Sequence, residues 1–397
     1  MSDPRTETSA ADLAAAADRA ARRGALDEAR SLLEQAVASE PAQLGLWMSL
    51  AGCRRALGDH AAALAAVEQA LALDPRSFVA LLMKASLMER LGAPHQAGAA
   101  YGVALTQAPP DERTPPQLRA TLDHARQVHA QYEEALGASL RRDLGAAAVH
   151  SGPAGRRLGA FIDHLAGKRR VYHQEPVRFR YPGLPELEFH DREDFPWLEA
   201  LEASTEEILA ELLAVLGEDA AGLEPYVNYP PGVPLDQWAE LNRSPRWSSY
   251  HLLRDGLPVE EHCRRCPRTM AAMAPLPRPH VARRSPAAMF SILRPHTRIP
   301  PHTGVANTRL VLHLPLVVPE GCGFRVGNET RAWKVGEAWV FDDTIEHEAW
   351  NDSDQPRAIL MFDLWNPRLS LEERTVIAQV MAAMDVFEGV TPGGDGL

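Results

Sequence analysis

The sequence predicts a multidomain chain in which an N-terminal α-helical solenoid precedes a β-rich C-terminal domain. Three observations carry this. Gly24, Gly58 and Gly92 are spaced 34 residues apart, and so are Pro41, Pro75 and Pro109. The proline pairs Pro109-Pro110 and Pro115-Pro116 then close the periodic part. Further on, short apolar runs such as Phe290-Ser291-Ile292-Leu293 and Ala358-Ile359-Leu360-Met361-Phe362 read as buried strands. The full length, 397 residues, suits two or three domains.

Within the periodic part, Ala29, Ala63 and Ala97 repeat with the glycines, as do Ala36, Ala70 and Ala104. A 34-residue period with these glycine, alanine and proline positions resembles tetratricopeptide repeats. The physical logic agrees. Each glycine falls where one helix turns into its partner, each alanine lets the two helices approach, and each proline ends the second helix. Three repeats over residues 8–111 are near the minimum for a stable stack. Such a stack offers a concave groove for a peptide or protein partner. The plainer alternative is a scaffold that packs against the rest of the chain or drives dimerisation.

Residues 112–175 read as a helical cap and linker. Gln117 to about Leu144 has helical spacing at Leu118, Leu122, Val128, Tyr132 and Leu136, and can cover the last repeat. Gly152-Pro153-Ala154-Gly155 reads as a break, with a short helix from Phe161 to Ala166. Phe195-Pro196-Trp197-Leu198 precedes a helix through about Leu216. Its Leu198, Leu201, Ile208, Leu209, Leu212 and Leu213 form a core stripe. Residues 222–285 are rich in proline, aromatics and arginine, and read as an irregular segment where a substrate lid could sit. Arg254 and Arg309 are candidates for a substrate carboxylate. Residues 176–370 form the expected catalytic domain, and 371–397 a C-terminal helix and tail.

Composition narrows the partners. The net charge of −12 argues against a nucleic-acid backbone. No run of 18 apolar residues suggests a membrane span, and Met1-Ser2-Asp3-Pro4-Arg5 is not a signal-peptide start, so the expected location is the cytoplasm. Three lysines among 41 basic residues, with abundant alanine, suggest a GC-rich bacterial genome. Four cysteines are too few for a disulfide framework. His262-Cys263-Arg264-Arg265-Cys266 lacks the second ligand pair that a structural zinc site needs, so reduced thiols in a loop are expected there. Cys53 falls inside a repeat and reads as core.

The chemistry concentrates between Ser291 and Pro367. His302 and His347 lie 45 residues apart in β-rich stretches, and Arg357 follows ten residues later. Neutral imidazole suits Fe(II). The usual third ligand, a carboxylate two residues after the first histidine, is replaced by Gly304. That leaves His302 and His347 as the only protein ligands, with Asp343 available to hold a metal-bound water. A planar arginine fork such as Arg357 matches the distal carboxylate of 2-oxoglutarate. Arg309, Val311 and His313 share strand parity, so His313 can face the same ligand, and Ser291 can add a hydroxyl. Singly, a histidine in a β-rich core is more often structural; the order and spacing of the set favour the site.

These residues resemble the aspartyl/asparaginyl β-hydroxylase family from about Val177 to Leu369. The carrying segments are His302-Thr303-Gly304 with Asn307 and Arg309, then His313-Leu314-Pro315-Leu316. Next come Pro319 with Cys322, Arg325-Val326-Gly327, and Trp333 with Gly336. Phe341-Asp342-Asp343-Thr344 through Trp350-Asn351, Arg357 and Asp363-Leu364-Trp365-Asn366-Pro367 complete them. That family is similar in having glycine at the ligand-carboxylate position. The resemblance implies a double-stranded β-helix (a cupin-like jelly roll), Fe(II), 2-oxoglutarate, and hydroxylation of a C–H bond with release of succinate and CO2. It implies iron ligands at His302 and His347, and cosubstrate contacts at Ser291, His313 and Arg357. One departure is Val311, where animal members carry a second arginine; Arg309 nearby is the candidate to compensate.

The leading expectation is a hydroxylase of aspartyl or asparaginyl side chains in a peptide or protein recruited by the repeats. An alternative substrate is a small molecule or lipid-linked acyl chain. A third expectation, of another class, is a non-catalytic repeat adaptor carrying an inactive barrel.

Overall fold

The protein is described from a computed structural model covering residues 9–144 and 152–389. Residue 8 of the expected repeat span, the chain start, and the tail beyond 389 lie outside the described residues. The chain divides into two compact units, Met1–Arg170 and Val171–Leu397.

The first unit is a stack of antiparallel helix pairs. They are α1 (Ala10–Arg22) with α2 (Leu26–Ser39), α3 (Leu44–Ala56) with α4 (His60–Leu73), and α5 (Phe78–Arg90) with α6 (Pro94–Thr106). Gly24, Gly58 and Gly92 adopt φ of +80°, +81° and +75° at the three tight turns, a conformation that costs glycine nothing. Ala29, Ala63 and Ala97, like Ala36, Ala70 and Ala104, are fully buried where the helices cross. Cys53 is buried among them. The tetratricopeptide reading of the period thus matches the helix pairing.

Helix α7 (Pro116–Leu144) lies against α6. Two glycines make this possible. A Cβ on Gly98 would collide with Tyr132, and one on Gly102 with His129. His129 Nδ1 also donates to the Gly98 carbonyl at 3.0 Å. Helix α7 therefore covers the face of α6 that carries Gly98 and Gly102. Helix α8 (Gly152–Leu165) corrects the expected break: it begins at Gly152, where proline at the second position starts a helix instead of ending one.

The second unit opens with α9 (Leu198–Glu202) and α10 (Thr205–Glu218). These replace the single expected helix. Leu198, Leu201, Ile208 and Leu212 are buried as the stripe predicted, whereas Leu213 is 54% exposed. Residues 222–285 are also more ordered than the sequence suggested. They contain β1 (Glu224–Pro225), β2 (Trp247–Arg254), β3 (Leu257–Pro258), α11 (Glu260–Arg265) and α12 (Pro267–Met273). Strand β2 runs Trp-Ser-Ser-Tyr-His-Leu-Leu-Arg and is covered on both faces, so it shows no polar–apolar alternation to betray it. Cys263 and Cys266 are free thiols on and just after α11, a helix where a loop was expected.

Eight further strands follow: β4 (Ala288–Leu293), β5 (Thr297–His302), β6 (Arg309–Val317), β7 (Cys322–Val326), β8 (Glu329–Ala332), β9 (Trp339–Phe341), β10 (His347–Asn351) and β11 (Arg357–Trp365). They form two antiparallel sheets. One has the order β1-β2-β4-β11-β6-β9, with β3 beside β2; the other is β5-β10-β7-β8. One apolar cluster includes Phe290, Leu312 and Leu360 of the larger sheet with Ile208 and Leu212 of α10. A second joins the sheets through Leu293, Val311, Phe324, Phe341 and Ile359. Helix α13 (Leu371–Glu388) ends the unit, started by a reciprocal Ser370–Glu373 capping box. No described helix is long and apolar enough to cross a membrane.

The close approach of α6 and α7 yields a test. Gly98→Ala should lower stability by about 1–3 kcal/mol through overpacking. Thermal melting followed by circular dichroism, with amide exchange in α7, checks it.

Candidate functional site

The site begins with strand register. β5 and β10 are antiparallel neighbours, and His302 is paired directly with His347. Their ring centroids are 4.0 Å apart. Each ring is turned by its own backbone: His302 Nδ1 donates to the Pro300 carbonyl at 2.8 Å, and His347 Nδ1 to the Ile345 carbonyl at 3.0 Å. Because a carbonyl only accepts, both Nδ1 atoms carry the proton, and each Nε2 is left with its lone pair. Burial, and then the neighbouring imidazole, push the His302 pKa down to about 3. Burial pushes His347 down to about 4. Both are neutral at physiological pH, the form a metal takes.

Asp343 stands beside this pair. It is 7% exposed, and its Oδ2 meets Arg309 Nη2 at 3.0 Å. Its Oδ1 is buried without a protein partner. A Cβ on Gly304 would collide with this carboxyl group. The space where residue 304 would project a side chain is thus filled by the carboxylate of residue 343. The Gly304 loop is fixed from behind, since Gly304 N donates to the Asp343 carbonyl at 2.6 Å and Val177 N to the Gly304 carbonyl at 2.9 Å. The buried Asn307 ties the same region together, accepting from Tyr181 N at 2.7 Å and donating to Gln174 Oε1 at 2.9 Å.

Deeper between the sheets lie His313 and Arg357. Arg357 is 2% exposed, and its Nε and Nη1 have no partner in the protein. Burial draws its pKa down to about 10, so it remains a cation at neutral pH. The buried His313 also leaves Nδ1 unpartnered. Burial, then the Arg357 charge, hold it well below the usual histidine range. Phe341 links the two histidine groups, with its ring 4.7 Å from His313 and 5.4 Å from His347. Ser291 is buried on β4, where its Oγ accepts from Trp247 Nε1 at 3.1 Å.

The structure therefore brings together His302, His347, Asp343 and Arg309, and places His313 and Arg357 further in. Arg254 stands apart: at the end of β2 it pairs with Glu224 at 2.6 Å, and both side chains are exposed. Arg309 is tied to Asp343, so it offers no unpaired charge where Val311 is apolar and buried. Three tryptophans given no individual role by the sequence belong to the site. Trp247 holds Ser291, the Trp238 ring is 5.0 Å from His302, and Trp333 lies 5.3 Å from the Arg357 guanidinium. The aromatic richness of residues 222–285 was the signal for the first two; Trp333 stood in the sequence only among the residues that carry the family resemblance, with no role of its own.

Among the described residues no three His, Cys, Asp or Glu side chains cluster as a metal site. The donor set is two neutral imidazoles with an unsatisfied carboxylate oxygen behind them, which fits a divalent transition metal completed by exogenous ligands.

Comparison with known proteins gives the same direction. Residues 202–367 match the family model for aspartyl/asparaginyl beta-hydroxylase. The mouse aspartyl/asparaginyl beta-hydroxylase is 38% identical over 144 residues, covering 36% of this chain and 19% of that protein. The ornithine lipid ester-linked acyl 2-hydroxylase of Rhizobium tropici is 34% identical over 196 residues, covering 49% of this chain and 66% of that protein. Human aspartate beta-hydroxylase domain-containing protein 2 is 31% identical over 215 residues, covering 53% and 55%. The chain thus spans about a fifth of the mouse relative and just under two thirds of the rhizobial one. Among solved structures, the chaperone PcrH with the binding region of PopD gives a TM-score of 0.28 at 19% identity, covering 33% of this chain and 98% of that one. The resemblance drawn from the residues is upheld by the family model and these relatives.

Two predictions follow from the geometry. Arg357→Met should stabilise the free protein by about 1–3 kcal/mol, because it removes an unpaired buried charge; urea unfolding measures it. The second concerns pH. His302, His347, His190 and His251 have folded pKa values of about 3 to about 4, below the ordinary 6.5. The unfolded chain therefore takes up protons first as pH falls. The stability these four contribute is full above pH 6.5 and is lost progressively towards pH 4, offset in part by Asp342, whose pKa burial raises to about 6. Melting temperature should drop between pH 7 and pH 5, and His190→Phe should remove on the order of 2 kcal/mol of that drop.

Proposed function

We propose that the protein is an Fe(II)- and 2-oxoglutarate-dependent hydroxylase acting on an aspartyl or asparaginyl side chain of a peptide or protein. The observation that carries this is the facing pair His302–His347, each Nε2 lone pair left available by an Nδ1–H bound to backbone. Two features support the cosubstrate: Arg357 is a buried cation with unpartnered nitrogens, and His313 beside it has an unpartnered Nδ1. Apart from the β7–β8 hairpin, strands β4 to β11 alternate along the chain between the two sheets, which supports the double-stranded β-helix reading of residues 176–370.

In this reading His302 and His347 hold the metal and Arg357 takes the distal carboxylate of 2-oxoglutarate. Bound iron with 2-oxoglutarate supplies the activation of O2 that oxidises a C–H bond, leaving succinate and CO2. The chain's own residues do the rest. Asp343 Oδ1 accepts a hydrogen bond from a water beside the histidines, and Arg309 aims that carboxyl and opposes the upward push of burial on its pKa. Ser291, fixed by Trp247, presents a hydroxyl to the cosubstrate. Phe324, Phe341 and Ile359 exclude water from the layer between the sheets.

A second reading, hydroxylation of an acyl chain, is favoured by Trp238 and Trp247, whose rings stand 5.0 Å and 6.5 Å from His302 and offer an apolar wall. The rhizobial acyl hydroxylase among the relatives agrees with it. The repeats of the first unit are the proposed recruiting surface for a peptide or protein.

Succinate formation from 2-oxoglutarate, with Fe(II) and ascorbate under air, tests the reaction class. The wild type should produce succinate and His347→Ala should lose at least a hundredfold of the rate, on the scale of ~10²–10³ for a central electrostatic group. No succinate in either, with no protection against heat by 2-oxoglutarate, would leave the adaptor reading. A gain of one oxygen on aspartyl or asparaginyl peptides, against acyl amides, separates the two substrates.

A further inference from the structure

The apolar layer between the sheets contains more hydrogen-bond donors than it can use. Arg357 Nε and Nη1 and Trp333 Nε1 are donors buried without a partner, and His313 Nδ1, donor or acceptor by tautomer, is unpartnered beside them. Their side chains touch. The Trp333 ring stacks on His313 at 5.4 Å with an interplanar angle of 23°, and the Arg357 guanidinium lies 5.3 Å from the Trp333 ring. Trp333 is 8% exposed. A buried donor without an acceptor costs ~1–3 kcal/mol, and a core kept for stability alone would not retain several in mutual contact. Unpartnered donors grouped in this way suit an anion with several acceptor lone pairs. Val311, on the inward face of β6 with His313, is apolar, so no second cation shares the work.

We propose that Trp333 is a binding residue for the distal carboxylate of the cosubstrate, its indole N–H taking one lone pair while Arg357 takes the others. The proposal rests on the 2-oxoglutarate reading above. It assigns to a neutral donor part of what a second arginine would otherwise supply. A neutral donor suits this place, because a second guanidinium beside Arg357 would add like-charge repulsion in a low-dielectric layer whenever the ligand is absent.

The test uses the full chain with Fe(II) under nitrogen, so no turnover occurs, and reads ligand binding by tryptophan fluorescence and by shift of the melting temperature. Two ligands are compared: 2-oxoglutarate, and 2-oxobutanoate, which has the same oxoacid head but no distal carboxylate. Trp333→Phe keeps the ring and removes the N–H. It should weaken 2-oxoglutarate about tenfold, in line with a hydrogen bond to a charged group, and leave 2-oxobutanoate unchanged. Trp333→His, which restores a ring N–H, should recover part of the loss. Unchanged 2-oxoglutarate affinity in Trp333→Phe overturns the proposal, as does an equal loss for both ligands, which would make Trp333 a wall of the pocket only. Failure of the wild type to bind 2-oxoglutarate at all would instead overturn the cosubstrate reading, and the proposal with it.

Discussion

The antiparallel register of β5 and β10 is the constraint on which the site depends. It sets His302 opposite His347. A slip of one residue would send one imidazole to the other face of the sheet and destroy the pair. The register is held by neighbours on both sides: β10 also pairs with β7, where His347 lies opposite Val326. The backbone carbonyls of Pro300 and Ile345 then fix the tautomer, so the same short segments that place the rings also decide which nitrogen is available. The register shift just past the pair puts one extra residue on β5, at Pro300-Pro301, while β10 keeps a regular ladder with β7.

Around the pair, the fold keeps features that a core optimised for stability would lose. An arginine lies 2% exposed with unpartnered nitrogens, three histidines are held neutral, and a carboxylate has one oxygen unsatisfied. Each is a local cost, and all lie in or beside one layer between the two sheets. His190 and His251 are buried and neutral too, so it is the grouping of a cation, imidazoles and a carboxylate, not burial alone, that marks a site. The apolar residues between the sheets strengthen every electrostatic contact there by keeping water out.

Much of this was legible in the sequence, for identifiable reasons. The repeats were readable because glycine, alanine and proline recur with a fixed period, and each has one job in a helix pair. The order and spacing of His302 and His347 in β-rich runs anticipated that folding would bring the two rings together. Strand β2 was not, because its eight residues are almost all covered and its serines and histidine disguise a buried strand. Helix α8 was misread because a Gly-Pro pair can open a helix as well as close one. Gly304 was seen as a missing ligand, but the sequence could not show that the Asp343 carboxyl fills the space its side chain would take. Likewise the pairing of Arg309 with Asp343, and of Arg254 with Glu224, depends on chain segments brought together only by folding.

The central claim is that His302 and His347 together hold one divalent metal. Anaerobic titration with Co(II), followed by visible absorption, tests it most directly. The account predicts a single equivalent bound, a spectrum that changes when 2-oxoglutarate is added, and loss of both in His302→Ala and in His347→Ala. Binding that survives both substitutions, or no stoichiometric binding by the wild type, would contradict it.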